Sequence, residues 1–162
     1  MAENDQKTTT QEETPEQRFS IKRIYIKDMS YEAPASPEIF QQQYSPKIDF
    51  NLNCKNKLIS ETFYEVVLRL TAEAKQDNKT LFLAEVDQAG IFDIYGLEAQ
   101  QVEQALATLC PTILFPYARE AIDSIILKGT FPPLMLEPVN FEALYVQSLQ
   151  QKAAQQQEPQ LQ

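Results

Sequence analysis

The chain has 162 residues and a formal net charge of −9, with 23 acidic side chains against 14 basic ones. That length builds one domain with a sizeable core and is short for two. The acidic balance argues against DNA or RNA, because phosphate binding needs a basic face, and favours a basic protein partner.

Catalytic chemistry is sparse. There is no histidine, which removes Ser–His and Cys–His nucleophile pairs and the commonest metal ligand. Gly90, Gly96 and Gly129 are the only glycines, and neither GxxxxGK[ST] nor GxGxxG occurs, so no nucleotide-phosphate cradle is recognisable. Cys54 and Cys110 form no CxxC and read as small buried thiols of a reducing compartment. A zinc site would need both distant cysteines plus carboxylates. The carboxylate pair Glu61 and Glu65 reads as solvated surface charge. The expectation is a non-enzymatic protein without cofactor or metal.

Taken in chain order, residues 1–18 are polar, acidic and rich in Thr, Glu and Gln, a composition that stays disordered. They hold no apolar h-region, and no apolar run reaches the roughly 20 residues of a membrane helix, so a cytoplasmic protein is expected. "FSIKRIYIKDMSYEA" predicts a long strand whose alternation slips near Lys27–Asp28, the mark of a bulge. "PASPEIFQQQYSP" reads as a connection. "KIDFNLN" alternates, with Ile48, Phe50 and Leu52 on one face. "FYEVVLRLTAEA" puts Tyr64, Val66, Leu68, Leu70 and Ala72 inward. "KQDNK" has hairpin-turn chemistry, and "TLFLAEVDQAGIF" is the fourth strand.

After "GIFDIYG" the period becomes helical. Val102, Ala105, Leu106 and Leu109 share one helix face. Pro111 suits the first turn of a second helix, and Gly129 its end. Along this helix Leu114, Tyr117, Ala118, Ala121, Ile122, Ile125 and Ile126 cover most of the circumference. Arg119, Glu120, Asp123 and Lys128 remain as a narrow polar strip. A helix apolar nearly all round is buried nearly all round; another subunit is therefore expected on its outer side, with Ile122, Ile125 and Ile126 as candidate interface residues. Asn140 caps a last helix with Phe141, Leu144, Tyr145 and Ser148 on one face. Residues 152–162 read as a flexible Gln-rich tail whose first part extends that helix. The expected fold is α+β: a four-stranded antiparallel sheet with helices packed on one face, in a single domain over residues 19–151.

Two features point beyond the core. "GTFPPLMLEPVNF" sets Phe131, Leu134, Met135 and Leu136 in a loop between helices, either as core cover or as the wall of a deformable groove. Asp28 and Glu32 on the first strand, with Glu85 beside Leu83 on the fourth, read either as ordinary surface charge or as an acidic patch with an apolar centre.

"RIYIKDMSYEAP", "YEVVLRL", "CPTILFPYARE" and "GTFPPLMLEPVNFEALY" together resemble the protein-export chaperone family SecB, from Phe19 to about Gln151. The resemblance implies a cytosolic homotetramer, a dimer of dimers, without catalytic activity or nucleotide. It implies capture of unfolded precursors in apolar grooves and delivery to the Sec translocase ATPase motor, whose basic, zinc-bearing C-terminal tail docks on an acidic sheet face. By the resemblance, Asp28, Glu32, Leu83 and Glu85 match the motor-docking positions. Ile48, Phe50 and Leu52, together with Leu134, Leu136 and Phe141, match positions near the client groove. Ala84, Val86 and Gln88 match positions tied to assembly, and Ala84 stands where the family commonly has cysteine. Two other readings stay open: a family member serving a toxin–antitoxin pair, and an oligomer holding a small hydrophobic ligand.

Overall fold

Four long strands pair antiparallel in the order β1-β4-β3-β2 in a computed structural model that describes residues 16–156. They are β1 (Arg18–Glu32), β2 (Lys47–Ser60), β3 (Phe63–Gln76) and β4 (Lys79–Tyr95). A two-residue turn joins β3 to β4, with Asp77 and Asn78 both at positive φ; Asp and Asn tolerate that region, and the mirror-type turn suits strand twist. The β1–β4 register shifts between Ile26 and Asp28, as the broken alternation predicts, and again between Ile21 and Arg23. β1 and β2 lie on opposite edges, so residues 33–46 cross the end of the sheet, with Ile39 buried in a 3-10 turn over Glu38–Gln41.

Three helices follow: α1 (Ala99–Ala107), α2 (Leu109–Lys128) and α3 (Phe141–Gln156). Leu109, expected on the α1 face, instead opens α2 and is 44% exposed. Pro111 explains the break. It has no N–H to donate to the Ala107 carbonyl, and its ring crowds that carbonyl. Asn140 caps α3 by accepting the Ala143 N–H at 3.0 Å. The helix carries on to Gln156, so residues 152–156 are helical, in keeping with the helix preference of Ala, Gln and Lys. The proposed tail residues 1–15 and 157–162 lie outside the described residues, and Arg18 already belongs to β1.

α2 packs across β3 and β4. Leu114, Ala118, Ile122 and Ile126 meet Val66, Leu68 and Leu70 of β3 and Val86 and Phe92 of β4 in one core, every one without solvent exposure. Gly90 sits in β4 where a Cβ would come within 3.1 Å of the Leu114 side chain and closer still to Phe92. Its missing side chain lets helix and strand approach.

At the far end of α2, Gly129 ends the helix by donating its N–H to the Ile126 carbonyl at 3.0 Å. A Cβ there would stand 1.7 Å from Tyr31 Oη and 2.5 Å from its Cζ. That hydroxyl is buried with no hydrogen-bond partner among the described residues. Gly129→Ala is expected to cost about 1–3 kcal/mol through overpacking, and adding Tyr31→Phe to recover part of it. Urea unfolding of both variants reads this directly. An unchanged midpoint for Gly129→Ala would mean that Tyr31 does not constrain the helix end.

Candidate functional site

The sheet has two unlike faces. On the face away from the helices, Asp28 pairs with Asp87, Ser30 with Glu85 and Glu32 with Leu83 across the β1–β4 ladder. Asp28, Glu32, Leu83 and Glu85 therefore share one patch, as expected of strand residues two apart. Asp28 and Glu32 are exposed and form no ion pair among the described residues. Glu85 accepts the Thr71 hydroxyl at 2.9 Å, and Arg69 Nε stands 3.8 Å from it. Asp87 belongs to the same row and was not singled out from the sequence, although it continues the Leu83–Glu85 spacing. Both its oxygens accept from Arg69 at 2.6 Å. Arg69 is held well above its ordinary range, first by that hydrogen bond.

The opposite face carries exposed apolar side chains along β2. Ile48, Phe50 and Leu52 project from β2 on the helix side, pairing with Ala74, Ala72 and Leu70. Ile48 is 37% and Phe50 39% exposed, because α2 does not reach this edge strand. Phe131 of the α2–α3 connection lies 5.2 Å, centroid to centroid, from Phe82, whose β3 neighbour is Ala74. Phe40 and Tyr44 flank Phe131 at 5.5 and 5.9 Å. These two aromatics lie in the segment read only as a connection; their four-residue spacing between prolines is the signal that was available. Leu134 and Leu136 are half-buried against the core. Phe141 is buried with its ring 6.2 Å from Phe115 and offers little surface to a ligand.

The polar strip of α2 does structural work. Asp123 accepts the Leu134 N–H at 2.8 Å and the Met135 N–H at 3.4 Å, while Arg119 donates to the Leu136 carbonyl at 3.3 Å. These bonds hold the connection along α2.

The candidate interface residues need correction. Ala84, Val86, Ile122 and Ile126 have no exposed surface, Gln88 is nearly as buried, and Ile125 is half-buried. All but Ile125 lie between sheet and helix within the one chain. The exposed large apolar residues of α2 are Leu109, Tyr117 and Leu127, and Ile21, Ile26 and Met29 are uncovered on β1. Periodicity finds the apolar width of a helix without saying which side meets the sheet, so it did not separate buried Ile122 and Ile126 from half-buried Ile125.

Cys54 and Cys110 are free thiols, pushed up by burial to about 11 and about 12, and so stay protonated at neutral pH. Among the described residues no group of three His, Cys, Asp or Glu is placed to hold a metal, and no helix is long and apolar enough to cross a membrane.

Two carboxylates tie the outer face together. Glu65 is held below its ordinary 4.5 chiefly by the Lys27 ammonium, then by the Tyr25 hydroxyl at 3.1 Å. Asp93 is held below 3.8 by the Thr62 hydroxyl at 2.6 Å and then by Arg18 Nε at 2.8 Å. Folded values below the unfolded ones stabilise above the unfolded pKa, and that stabilisation is lost as pH falls through the folded ones. Stability is therefore expected to decline below about pH 4.5, less steeply in Glu65→Gln/Asp93→Asn. Urea midpoints across that acid range give the answer; equal slopes would remove these two groups as the cause.

The match to the family model described as preprotein translocase subunit SecB covers residues 11–152. A protein-export protein SecB from Marinobacter nauticus is 50% identical over 152 residues, covering 94% of this chain and 92% of its own. One from Stutzerimonas stutzeri is 54% identical over 132 residues, covering 82% and 80%. Among solved structures, the SecB-like chaperone of Mycobacterium tuberculosis in complex with a ChAD peptide from an antitoxin aligns with a TM-score of 0.61 at 17% identity, over 76% of this chain and 88% of its own. That likeness carries the fold; the family rests on the half-identical relatives and the nearly full-length model match. The chain belongs to the SecB family.

Proposed function

We propose that the protein is an ATP-independent cytoplasmic holdase that captures unfolded precursors and delivers them to the ATPase motor of the Sec translocase. The observation that carries this reading is the apolar flank left open beside α2, on the face opposite the acidic row. Ile48, Phe50, Phe40, Tyr44 and Met135 are all more than a third exposed. Each large client side chain laid there gains roughly 1.5–3 kcal/mol. Several weak contacts along one client bind it by avidity and demand no sequence motif. The export relatives at half identity favour this client class; the antitoxin-bound neighbour, at 17%, contributes fold alone.

Release without a nucleotide cycle requires a receptor. Asp28, Glu32, Leu83 and Glu85 are the proposed dock for the motor's basic, zinc-bearing tail: two unpaired exposed carboxylates and an apolar centre suit a basic segment. Homotetramer assembly as a dimer of dimers is proposed to cover the Leu109–Tyr117–Leu127 ridge.

Three outcomes follow, each read separately. Phe50→Glu should weaken capture of a precursor diluted from denaturant by about tenfold, measured as lost suppression of its aggregation. Glu85→Lys should weaken motor-tail binding severalfold at low salt, with the difference shrinking as salt rises, and leave capture intact. Loss of both activities in Glu85→Lys would sink the division between faces. Tyr117→Glu/Leu127→Glu should shift sedimentation to smaller species; an intact tetramer would move the contact off this ridge.

A further inference from the structure

We propose that the outer sheet face carries a second site, a basic cleft over β2 and β3 that takes an acidic peptide segment. The cleft has a volume of about 330 Å³ and is lined by four cations, Lys27, Lys55, Lys57 and Arg69, and two anions, Glu65 and Asp87, around an apolar floor at Val67. The lining is thus positive by two charges (four minus two) on a chain of net charge −9. Both anions are already served from inside the protein. Glu65 receives Lys27 and Tyr25, and Asp87 receives both arms of Arg69. Lys57 stands 3.9 Å from Glu65 with its side chain 65% exposed, and Lys55 forms no ion pair among the described residues. These two ammonium groups are the surplus.

Lysines on an edge strand discourage strand-on-strand association, and β2 is an edge strand. That role accounts for a lysine at the rim. It does not account for Lys27, which starts on the opposite edge strand and reaches across β4 to Glu65 on β3. The small, fully buried Ala89 of β4, neighbour to Val67, leaves room for that reach. Cations from β1, β2 and β3 therefore converge on one concavity.

The chemistry of the occupant follows from the lining. Two surplus charges beside the Asp28–Glu85 row disfavour a long polyanion, which the chain's overall charge would repel. A short carboxylate-rich segment brings few charges, pairs with Lys55 and Lys57, and sets a small apolar side chain on Val67. Arg69 stands between this cleft and the acidic row, so the outer face offers adjoining sites of opposite sign.

The test uses the full chain and a fluorescein-labelled peptide of Glu, Asp, Ala and Leu, with its Gln/Asn counterpart as control, followed by fluorescence anisotropy. Saturable binding of the acidic peptide is expected, weakening as salt rises. It should be about tenfold weaker in Lys55→Glu/Lys57→Glu and reduced to an intermediate degree in Lys55→Gln/Lys57→Gln, both with unchanged circular dichroism. Asp28→Asn/Glu85→Gln should retain it, which separates this site from motor docking. Equal binding of the amide control, wild-type affinity in the charge-reversed variant, or no binding at low salt overturns the proposal.

Discussion

One helix is narrower than the sheet it must cover, and most of the surface follows from that mismatch. An α-helix with its side chains is ~10–12 Å across, whereas four strands spaced ~4.8 Å apart make a layer nearly twice as wide. α2 settles over β3 and β4, where Gly90 and a run of Ala and Val let it come close. The helix-side residues of both edge strands then stay open: Ile21, Ile26 and Met29 on β1, Ile48 and Phe50 on β2. Apolar surface on this scale is unfavourable in water and marks interaction sites. Before β2 the connecting segment adds exposed Phe40 and Tyr44, both packed against Phe131.

The outer face has no helix over it and must meet water. Asp28, Glu32, Glu85 and Asp87 cluster at one end of the β1–β4 ladder, and Lys55 and Lys57 stand together on β2, while Asp49 and Glu73 face each other further along β2 and β3. The boundary runs through Arg69, which is bonded to Asp87 and within 3.8 Å of Glu85. Neutralising Asp87 and Glu65 from within removes the anions that would otherwise blur the two halves. Among the described residues Asp28, Glu32 and Lys55 form no ion pair, and Lys57 keeps only a 3.9 Å approach to Glu65. Exposed charges of this kind contribute little to stability, so their arrangement bears on recognition.

Strand periodicity was legible because it is local. The inward run from Val66 to Ala72, the Asp77–Asn78 turn and the bulge at Lys27–Asp28 all follow from neighbours in the chain. The Asp28, Glu32, Leu83 and Glu85 patch needed only correct pairing of β1 with β4. Orientation of α2 was not legible, because its apolar residues span most of the circumference and only the sheet decides which are covered. Ile122 and Ile126 therefore looked like interface and are core. The partners of the polar strip were illegible for a related reason. Asp123 and Arg119 find backbone groups of residues 134–136 as partners, and a carboxylate accepting two N–H bonds looks in sequence like any surface aspartate. Phe40 and Tyr44 were lost in a Pro-rich connection, where no period exists to assign them a side.

Asp123 and Arg119 bear on how the proposed client surface is held in place. Thr130 and Met135 both adopt positive φ, a conformation that non-glycine residues pay strain to hold. The bonds from Asp123 and Arg119 offset that strain and fix the backbone between the two helices. The side chains on this backbone are not fixed to the same degree: Met135 is 74% exposed, while Phe131 is buried against Phe82. In the proposed client role, buried Phe131 and the bonded connection set where an extended chain lies, and the exposed methionine, unbranched and polarizable, adjusts to the apolar side chain that arrives. Affinity then depends on how many such contacts one client makes, not on the shape of any one residue, which is the behaviour a holdase needs to ignore sequence and still reject a folded protein whose apolar residues are hidden.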